Sequence, residues 1–476
     1  MLGVPIGNVQ ECKQTVNNMV DEALIDMARI KALDDNQKQY LLLRFVHAGK
    51  ITHLLRGSVP EATEDGSIAF MVEQLEAIAS AKLSNKHKLQ MSLPSLCGGL
   101  SLFSTKRIAK MAFLAQLNDF CQDIDRLPAT LAQEIKAHIC DPDGTSTYNR
   151  AVADACKHLS DILEELIKQL PEDASEDRKK ALDKNTYPVK PEDLFNPAKK
   201  RKQSELATLT SEIAWEEFRK DMTDDDDIRV TSLRGPLALK WLETIPDQRR
   251  RIWKSYNFML SIRKTLGIPW ELIDEKEHKC IDSAKSKPTE QHLQSCSEAG
   301  GNQLCHQRLR DTFKLYAELG GNTVKIKGTK AHADAKGYTD LVINMASGPV
   351  SVDVSVVNAH TRTMPLQAVE NKITEKHATY QREHDEAGVK FVAVVYDHYG
   401  GSLKETDDFF DRLAKTIPRD AVKACWGVSP KVIFQQDVST GLAMSKIESA
   451  LRLVARIIQK KADTADFAWM EGSDYN

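Results

Sequence analysis

The sequence predicts a multidomain α+β protein, with a mostly helical N-terminal half and an α/β domain in its C-terminal half. Apolar residues recur with helical periodicity in residues 10–57, 68–82 and 105–121. Segments rich in Val and Ile at residues 339–345 and 350–357 indicate strands. A chain of 476 residues is long enough for about two to four domains with ample core.

The helices of the N-terminal half are predicted from one-sided apolar spacing. Side chains three or four positions apart lie on the same face of a helix, so such a face can be buried in a bundle. The Gly98-Gly99 pair between Leu-rich segments interrupts the pattern. The residues that set the spacing in the first segment are Val20, Ala23, Leu24, Met27, Leu41, Leu42 and Phe45.

The middle of the chain is polar. Residues 142–228 contain one predicted amphipathic helix, near residues 150–170. The many Pro, Glu, Asp and Lys residues from Pro171 to Asp227 predict a flexible linker. Within it, the basic run Pro197-Ala-Lys-Lys-Arg-Lys202 resembles a nuclear import signal, and a solvated run of charges is the alternative. The import interpretation predicts a location in the nucleus.

The C-terminal half should alternate helices and strands. A Ser-Gly-Pro turn separates two of the strands, which are therefore expected to be neighbours. The helices near the C-terminus have apolar faces whose default role is core packing. The predicted order is helix 303–319, strands near 323–327, 339–345 and 350–357, helix 364–387, strand 390–396, and helices 402–416 and 441–461.

Two acidic residues lie in the neighbouring apolar strands. Asp disfavours strands and is rarely buried without a partner, so Asp340 and Asp353 need an explanation. A bound Mg²⁺ (or Mn²⁺) is one explanation, because Mg²⁺ in proteins is typically coordinated by carboxylates and substrate phosphate. Such an ion can generate an attacking hydroxide for phosphodiester hydrolysis. Two solvent-facing aspartates on an edge strand are the alternative.

The helix that follows these strands carries the remaining candidate catalytic residues. Lys376, or alternatively Lys372, could orient the attacking water or stabilise the oxyanion of the transition state. Tyr380 lies one turn after Lys376 and is expected to support the helix.

A short segment ahead of this domain has residues of the type that bind zinc. His278 and Cys280 are followed, after eleven residues, by His292 and Cys296. Four His or Cys ligands make a tetrahedral Zn²⁺ site, and a small polar segment with few apolar residues would be stabilised by one. The His-x-Cys spacing of the first pair is unusual, so a loop without metal is the alternative.

Several motifs together resemble the restriction-like endonuclease of site-specific non-LTR retrotransposons, a PD-(D/E)XK nuclease. They are Thr339-Asp340, twelve residues and Asp353; Glu375-Lys376-x-x-x-Tyr380; the segment from Gly300 through Cys305-His306-Gln307; and Gly388 to Tyr396 followed by Gly400-Gly. Two positions depart from the family: Thr339 stands where it has Pro, and Cys305-His306-Gln307 where it has Arg-His-Asn.

The resemblance implies a DNA-cleaving domain. Asp340 and Asp353 would bind the metal, and a lysine of the following helix would be catalytic. DNA contacts would come from His306, Arg308 and Arg310 on the first helix. The segment at residues 276–300 would correspond to the family's zinc knuckle. The product would be a nick with a 3′-hydroxyl, which in the family primes reverse transcription of the element's RNA.

The N-terminal half resembles the thumb-like region of non-LTR reverse transcriptases. The matching segments are Leu2 to Gly7, Leu41 to Val46, Leu54 to Arg56 and Leu93 to Leu102. No Tyr-x-Asp-Asp or Phe-x-Asp-Asp polymerase motif occurs in the chain. The resemblance therefore implies a C-terminal piece of a retroelement polyprotein.

The predicted domain boundaries follow from these patterns. The expected regions are residues 1–130, helical and thumb-like; 131–228, a helical and charged linker; 229–275, helical; 276–300, a zinc knuckle; 301–440, the restriction-endonuclease-like domain; and 441–476, a C-terminal helix and tail.

Composition limits the function classes. A net charge of −3 gives no global basic field, so DNA would be bound by local patches and with strong salt dependence. No run of eighteen apolar residues occurs, so no membrane partner is expected. Nine scattered Cys residues favour a reducing compartment. Two rival hypotheses are a non-catalytic nucleic-acid-binding remnant and a purely structural helical protein.

Overall fold

The computed structural model is mostly helical and contains one small mixed sheet, which agrees with the predicted α+β class. It forms two compact units. The first covers residues 1–34, 38–94 and 99–221, and the second covers 35–37, 95–98 and 222–476. The described residues are 9–62, 68–141, 144, 146–274, 278–282, 287–296, 301–326, 339–361, 364–421 and 428–472.

The first unit is helical, as the apolar spacing predicts. A π-helix at Leu42–His47 follows directly on the second helix, whose first two residues are assigned to the second unit. The α-helices are α1 Val9–Lys31, α2 Asn36–Leu41, α3 Ala48–Gly57, α4 Ile68–Ala79, α5 Asn85–Ser92, α6 Thr105–Gln122, α7 Ala129–Ile139, α8 Thr147–Lys168, α9 Glu176–Ala181 and α10 Gln203–Arg219.

The predicted flexible linker is wrong, because residues 171–221 are folded into this unit. Leu182, Leu194 and Leu206 are fully buried in the core formed with α6 and α8. Asn118 of α6 also donates a hydrogen bond to the Leu194 carbonyl oxygen, 3.1 Å away. The segment is polar on average, but its few leucines are spaced so that each reaches the core.

The basic run is likewise part of the folded unit. Lys199 pairs with Asp193 at 2.7 Å between Nζ and Oδ1, and Arg201 stacks over the ring of Tyr187. Each of these cations is therefore held by a local partner rather than displayed on an open segment. The nuclear location remains a prediction.

The second unit combines helices with a four-stranded sheet. The strands are ordered β1-β2-β3-β4, with β1, β2 and β3 antiparallel and β4 parallel to β3. The elements are α11 Asp224–Leu233, α12 Ser255–Leu266, α13 Glu290–Ser295, α14 Gly301–Leu319, β1 Thr323–Ile326, β2 Leu341–Met345, β3 Gly348–Val357, α15 Gln367–Glu386, β4 Lys390–Asp397, α16 Lys404–Thr416 and α17 Pro430–Gly472.

These elements confirm the predicted order of helices and strands, but not all the predicted boundaries. Helix α17 begins at Pro430, ahead of the expected boundary at residue 441. Its Phe434 and Val438 are buried in the same apolar core as β2, β3 and α14, so its first turns belong to the sheet domain. The structure also places residues 229–275 and 276–300 in the same unit as the sheet.

The exposed edge of the sheet is covered by the first turn of α16. The backbone N–H of Ala393 donates to Glu405 Oε1 at 2.9 Å, and that of Val395 donates to Thr406 Oγ1 at 3.0 Å. Since an uncovered strand edge can pair with other chains, these side chains take the place of a fifth strand. No helix in the described part of the chain is long and apolar enough to cross a membrane.

A buried ion-pair network connects α17 to the rest of the second unit. The Asp437 carboxylate is 2% exposed and accepts hydrogen bonds from the Arg251 guanidinium and from the Tyr316 hydroxyl, the latter at 2.6 Å. Arg250 adds a contact at 2.8 Å. A buried charge without such partners would be strongly unfavourable, so Asp437 fixes the position of α17.

We expect Asp437→Leu to lower the free energy of unfolding by about 3–5 kcal/mol, because buried Arg251 would lose its bidentate partner and keep only Asp247, at 2.9 Å, as a counter-charge. Urea unfolding followed by circular dichroism would measure the change. Asp408, whose side chain is 58% exposed beside Lys404, provides the control. Its replacement by Ala should change stability by no more than about 0.5 kcal/mol. Equal effects of the two substitutions would contradict this account of α17.

Candidate active site and metal centre

Asp340 is held in place by both of its carboxylate oxygens. The backbone pairing of β2 with β3 begins at Leu341, which lies opposite Val352. Just before this pair, Asp340 Oδ2 accepts a hydrogen bond from the Val354 backbone N–H at 2.7 Å, so its side chain extends the hydrogen bonding between the two strands. Oδ1 lies 2.8 Å from His306 Nε2 at the start of α14. The carboxylate therefore joins β2, β3 and α14.

Asp353 lies in the middle of β3 and is only 4% exposed. Its carboxylate Oδ2 is 2.6 Å from Lys376 Nζ. Burial raises the pKa of Asp353 above its ordinary value, Lys376 opposes this effect, and the nearby Asp340 reinforces it. A desolvated carboxylate whose charge is further disfavoured by a neighbouring carboxylate would be stabilised by a bound cation.

Lys376 reaches Asp353 because α15 crosses over the sheet between two parallel strands. Its ammonium also lies over the Tyr380 ring, 5.7 Å from the ring centroid. Burial lowers the pKa of Lys376, but the hydrogen bond and charge of Asp353 outweigh this effect, so the pKa is raised. Lys376 therefore carries its charge at neutral pH.

The structure distinguishes between the two candidate lysines. Lys372 Nζ pairs with Glu375 Oε1 at 2.6 Å, one turn before Lys376 on the same face of α15. It makes no contact with Asp340 or Asp353 among the described residues. We call His306, Asp340, Asp353 and Lys376 the carboxylate cluster. Tyr380 packs against Phe391 beside it, which is the supporting position expected of it.

The three predicted DNA-contacting residues of α14 lie in different surroundings. Only His306 belongs to the carboxylate cluster, and the hydrogen bond to Asp340 is the main cause of its raised pKa. Arg310 pairs with the adjacent Asp311 at 2.8 Å. Arg308 points to the other side of the helix, where its guanidinium is 2.8 Å from Glu448 of α17. The three residues therefore do not form one patch.

Both departures from the family pattern are accommodated inside the fold. Thr339 is 3% exposed, and its hydroxyl lies 2.6 Å from that of Ser351 on β3. Cys305 is fully buried in the apolar core. Neither residue takes the place of a member of the carboxylate cluster.

A second cluster contains residues suited to binding a metal. One ligand atom from each of four residues lies within 4.8 Å of all the others: Cys280, Asp282, His292 and Cys296. The two sulfur atoms are 3.6 Å apart, and His292 Nε2 is 3.3 Å from Asp282 Oδ2. We call these four residues the metal centre.

The structure brings three of the four predicted zinc ligands together, and the fourth lies elsewhere. His278 lies outside the metal centre, and its Nδ1 instead lies 3.0 Å from the Asp274 carbonyl oxygen. Asp282 takes the fourth position. Asp282 is neither His nor Cys, so it is not among the predicted ligands. Its position two residues after Cys280 is nevertheless visible in the sequence.

The metal centre is packed against α17. Cys280 and Cys296 are buried in one apolar cluster with Leu293, Trp270 and residues of α17 that include Ile447. Burial is the main cause of the raised pKa of Cys280, which is about 12. A cation at this position would favour the thiolate form instead.

We expect Lys376→Met to lower the free energy of unfolding by about 2–4 kcal/mol, because Asp353 would stay buried without its partner. Lys372→Met is a matched control on the same helix and should change stability by at most about 0.5 kcal/mol, since its partner Glu375 is 61% exposed and stays solvated without it. Thermal and urea unfolding of both variants would test this. A larger loss for Lys372→Met would contradict the assignment of Lys376 to the buried pair.

Comparison with protein-family models gives no match for this chain, and comparison with curated proteins gives none either.

Proposed function

We propose that the second unit is a Mg²⁺- or Mn²⁺-dependent endonuclease that nicks DNA. The observation that carries the proposal is the convergence of Asp340, Asp353 and Lys376. The two carboxylates come from neighbouring strands, and the lysine comes from the following helix. This is the arrangement implied by the resemblance to the restriction-like endonucleases of retrotransposons.

The chemistry assigns a role to each residue of the cluster. A divalent ion held by the two carboxylates would generate hydroxide and neutralise charge on the phosphorus. Asp340 is oriented for this role by the Val354 N–H and by His306. The Lys376 ammonium beside Asp353 could donate to a non-bridging phosphate oxygen as negative charge develops there. Water would then cleave the P–O3′ or P–O5′ bond; by the resemblance, the 3′-hydroxyl is released.

The wider biological setting is also a proposal. A nicking enzyme related to retroelement proteins would act on nuclear DNA, and the nick could prime copying of an element RNA by a separate polymerase.

One observation favours the alternative of an inactive nucleic-acid-binding remnant. Each carboxylate of the cluster already has a basic side chain beside it, His306 for Asp340 and Lys376 for Asp353. When His306 is protonated, the two charges of each pair are balanced without any metal, so the set could persist for structural reasons alone. Cleavage assays separate the two hypotheses, because only the nuclease depends on both carboxylates and a divalent ion.

We expect the full chain to convert supercoiled plasmid to the open-circular form in the presence of Mg²⁺ or Mn²⁺. Asp353→Asn and Asp340→Asn should each reduce the nicking rate at least about a hundredfold, because each removes a charged metal ligand worth several kcal/mol in the transition state. Agarose gel electrophoresis over a time course measures the rate.

Two controls make this assay decisive. Lys372→Met should nick at the wild-type rate, since Lys372 lies outside the cluster, and EDTA should stop the reaction. Nicking by both Asn variants at the wild-type rate would exclude the cluster as the active site. A pure wild-type protein without activity, together with retained DNA binding, would support the remnant instead.

We also propose that the metal centre binds one structural Zn²⁺. In a tetrahedral site, Zn–S bonds of about 2.3 Å place two sulfur ligands about 3.8 Å apart. The shorter Zn–N and Zn–O bonds place a nitrogen ligand and an oxygen ligand about 3.3 Å apart. The observed separations of 3.6 Å for the sulfurs and 3.3 Å for His292 and Asp282 are close to both values. Four protein ligands would leave no open position, as in structural rather than catalytic sites.

We predict one equivalent of zinc per chain by elemental analysis. Asp282→Ala and Cys296→Ser should each lose most of it and lower the melting temperature, because ligand loss removes binding free energy that also stabilises the fold. His278→Ala is the control and should keep the full equivalent. Zinc loss in His278→Ala with retention in Asp282→Ala would reverse the assignment of the fourth ligand.

A further inference from the structure

A groove of about 800 Å³ lies on the second unit, apart from the carboxylate cluster and the metal centre. Its walls are the loop that leads into α12, one face of α14 and one face of α17. The loop contributes Arg249, Arg250 and Lys254, and α14 contributes Arg308. Charged side chains therefore line the groove from three separate elements.

The acidic residues of the groove are already matched by cations of the protein. Asp437 is covered by Arg250 and Arg251, Glu448 pairs with Arg308 at 2.8 Å, and Asp311 pairs with Arg310. Their negative charges are thus largely neutralised inside the fold. The net charge that the groove presents to a ligand is therefore set by its basic side chains that are not paired with these acidic residues.

Two of those remaining cations are on the loop wall. Arg249 and Lys254 are exposed, and neither forms an ion pair with any residue that the structure describes. Both line the groove itself. Their charges are available to a ligand without first breaking an internal contact.

Helix α17 extends the same charged face. Arg452 follows Glu448 by four residues, which places it one turn further along the same side of the helix, about 6 Å away. Arg452 is exposed and likewise has no ion pair in the described part of the chain. Arg456 and Lys460 continue at the same spacing of four and are also exposed. The groove therefore opens onto a row of positive charges rather than onto a single pocket.

The position of the groove relative to the carboxylate cluster follows from α14. Arg308 faces the groove and His306 faces the cluster, and two residues along an α-helix correspond to a rotation of about 200°. The two sites therefore flank the same helix on opposite sides. A long ligand bound at one site would have to pass around the start of α14 to reach the other.

We propose that this groove binds the phosphate backbone of a nucleic acid, as a second contact surface of the nuclease. This inference rests on the proposed nuclease function for its ligand. The charge and shape of the groove, however, do not depend on whether the carboxylate cluster is catalytic. A row of cations from separate elements suits a chain of evenly spaced phosphates. An acidic peptide would be drawn by the same charges, and a competition experiment distinguishes the two ligands.

The test compares two variants of the full chain that lose the same charge. The groove variant carries Arg249→Gln, Lys254→Gln and Arg452→Gln. The control variant carries Lys390→Gln, Lys404→Gln and Lys415→Gln, which removes three exposed cations of β4 and α16 outside the groove. Binding of a fluorescein-labelled DNA duplex is followed by anisotropy over a range of salt concentrations. Melting curves confirm that both variants are folded.

We expect the groove variant to bind the duplex at least about tenfold more weakly than wild type. The slope of log K against log salt should become shallower by about 2–3, since each lost phosphate contact removes about 0.9 for duplex DNA. The control variant should lose at most about twofold. Equal loss in both variants, or wild-type binding by the groove variant, would overturn the proposal.

Two further measurements separate this proposal from the others. A poly-glutamate peptide that binds the groove more tightly than the duplex does, and displaces it, would show that the site takes acidic peptides and would overturn the nucleic-acid assignment. If wild type does not nick and the groove variant still loses binding, the nuclease proposal fails while the groove stands. If wild type nicks and the groove variant binds unaltered, the nuclease proposal stands and the groove proposal fails.

Discussion

The parallel pairing of β3 with β4 is the constraint on which the carboxylate cluster depends. Two consecutive strands can run parallel only if the chain returns across the sheet between them, and here α15 makes that return. The return brings Lys376 over the middle of β3, where Asp353 is buried. An antiparallel β4 would need only a tight turn, and no helix would then carry a lysine to this carboxylate.

Local sequence was sufficient to predict most of this sheet. Val and Ile runs and a Ser-Gly-Pro turn define β2 and β3, and aspartates in such strands are costly enough to draw attention. The choice between Lys372 and Lys376 could not be made from the sequence. The two lysines are four residues apart on one helix face, so the contact of Lys376 with Asp353 depends on how α15 lies over the sheet.

The wrong predictions have a common physical origin. Average composition predicted a flexible linker over residues 171–227, yet a few leucines such as Leu182 and Leu194 are enough to fold its greater part into a core. The boundary at residue 441 was predicted because the apolar spacing is clearest beyond it, but Phe434 already packs on the sheet. In both cases a small number of long-range contacts overrode the local pattern. Asp282 was missed for a different reason, because a carboxylate alone is a weak indicator of a metal ligand, and the structure shows only that it lies close to Cys280, His292 and Cys296.

Helix α17 contacts both α14 and the apolar cluster around Cys280 and Cys296, which constrains how the protein folds during synthesis. Its Phe434 stacks on Tyr316 of α14, and its Ile447 lies in the apolar cluster with Cys280 and Cys296. Contacts so distant in sequence form late, and a ribosome releases α17 after every other element described for this unit. We therefore expect a nascent chain to hold neither cluster in its final form until translation has passed residue 457, the last α17 residue of that apolar cluster. Under the proposed nuclease function, vectorial synthesis would keep a partly made chain from cutting DNA.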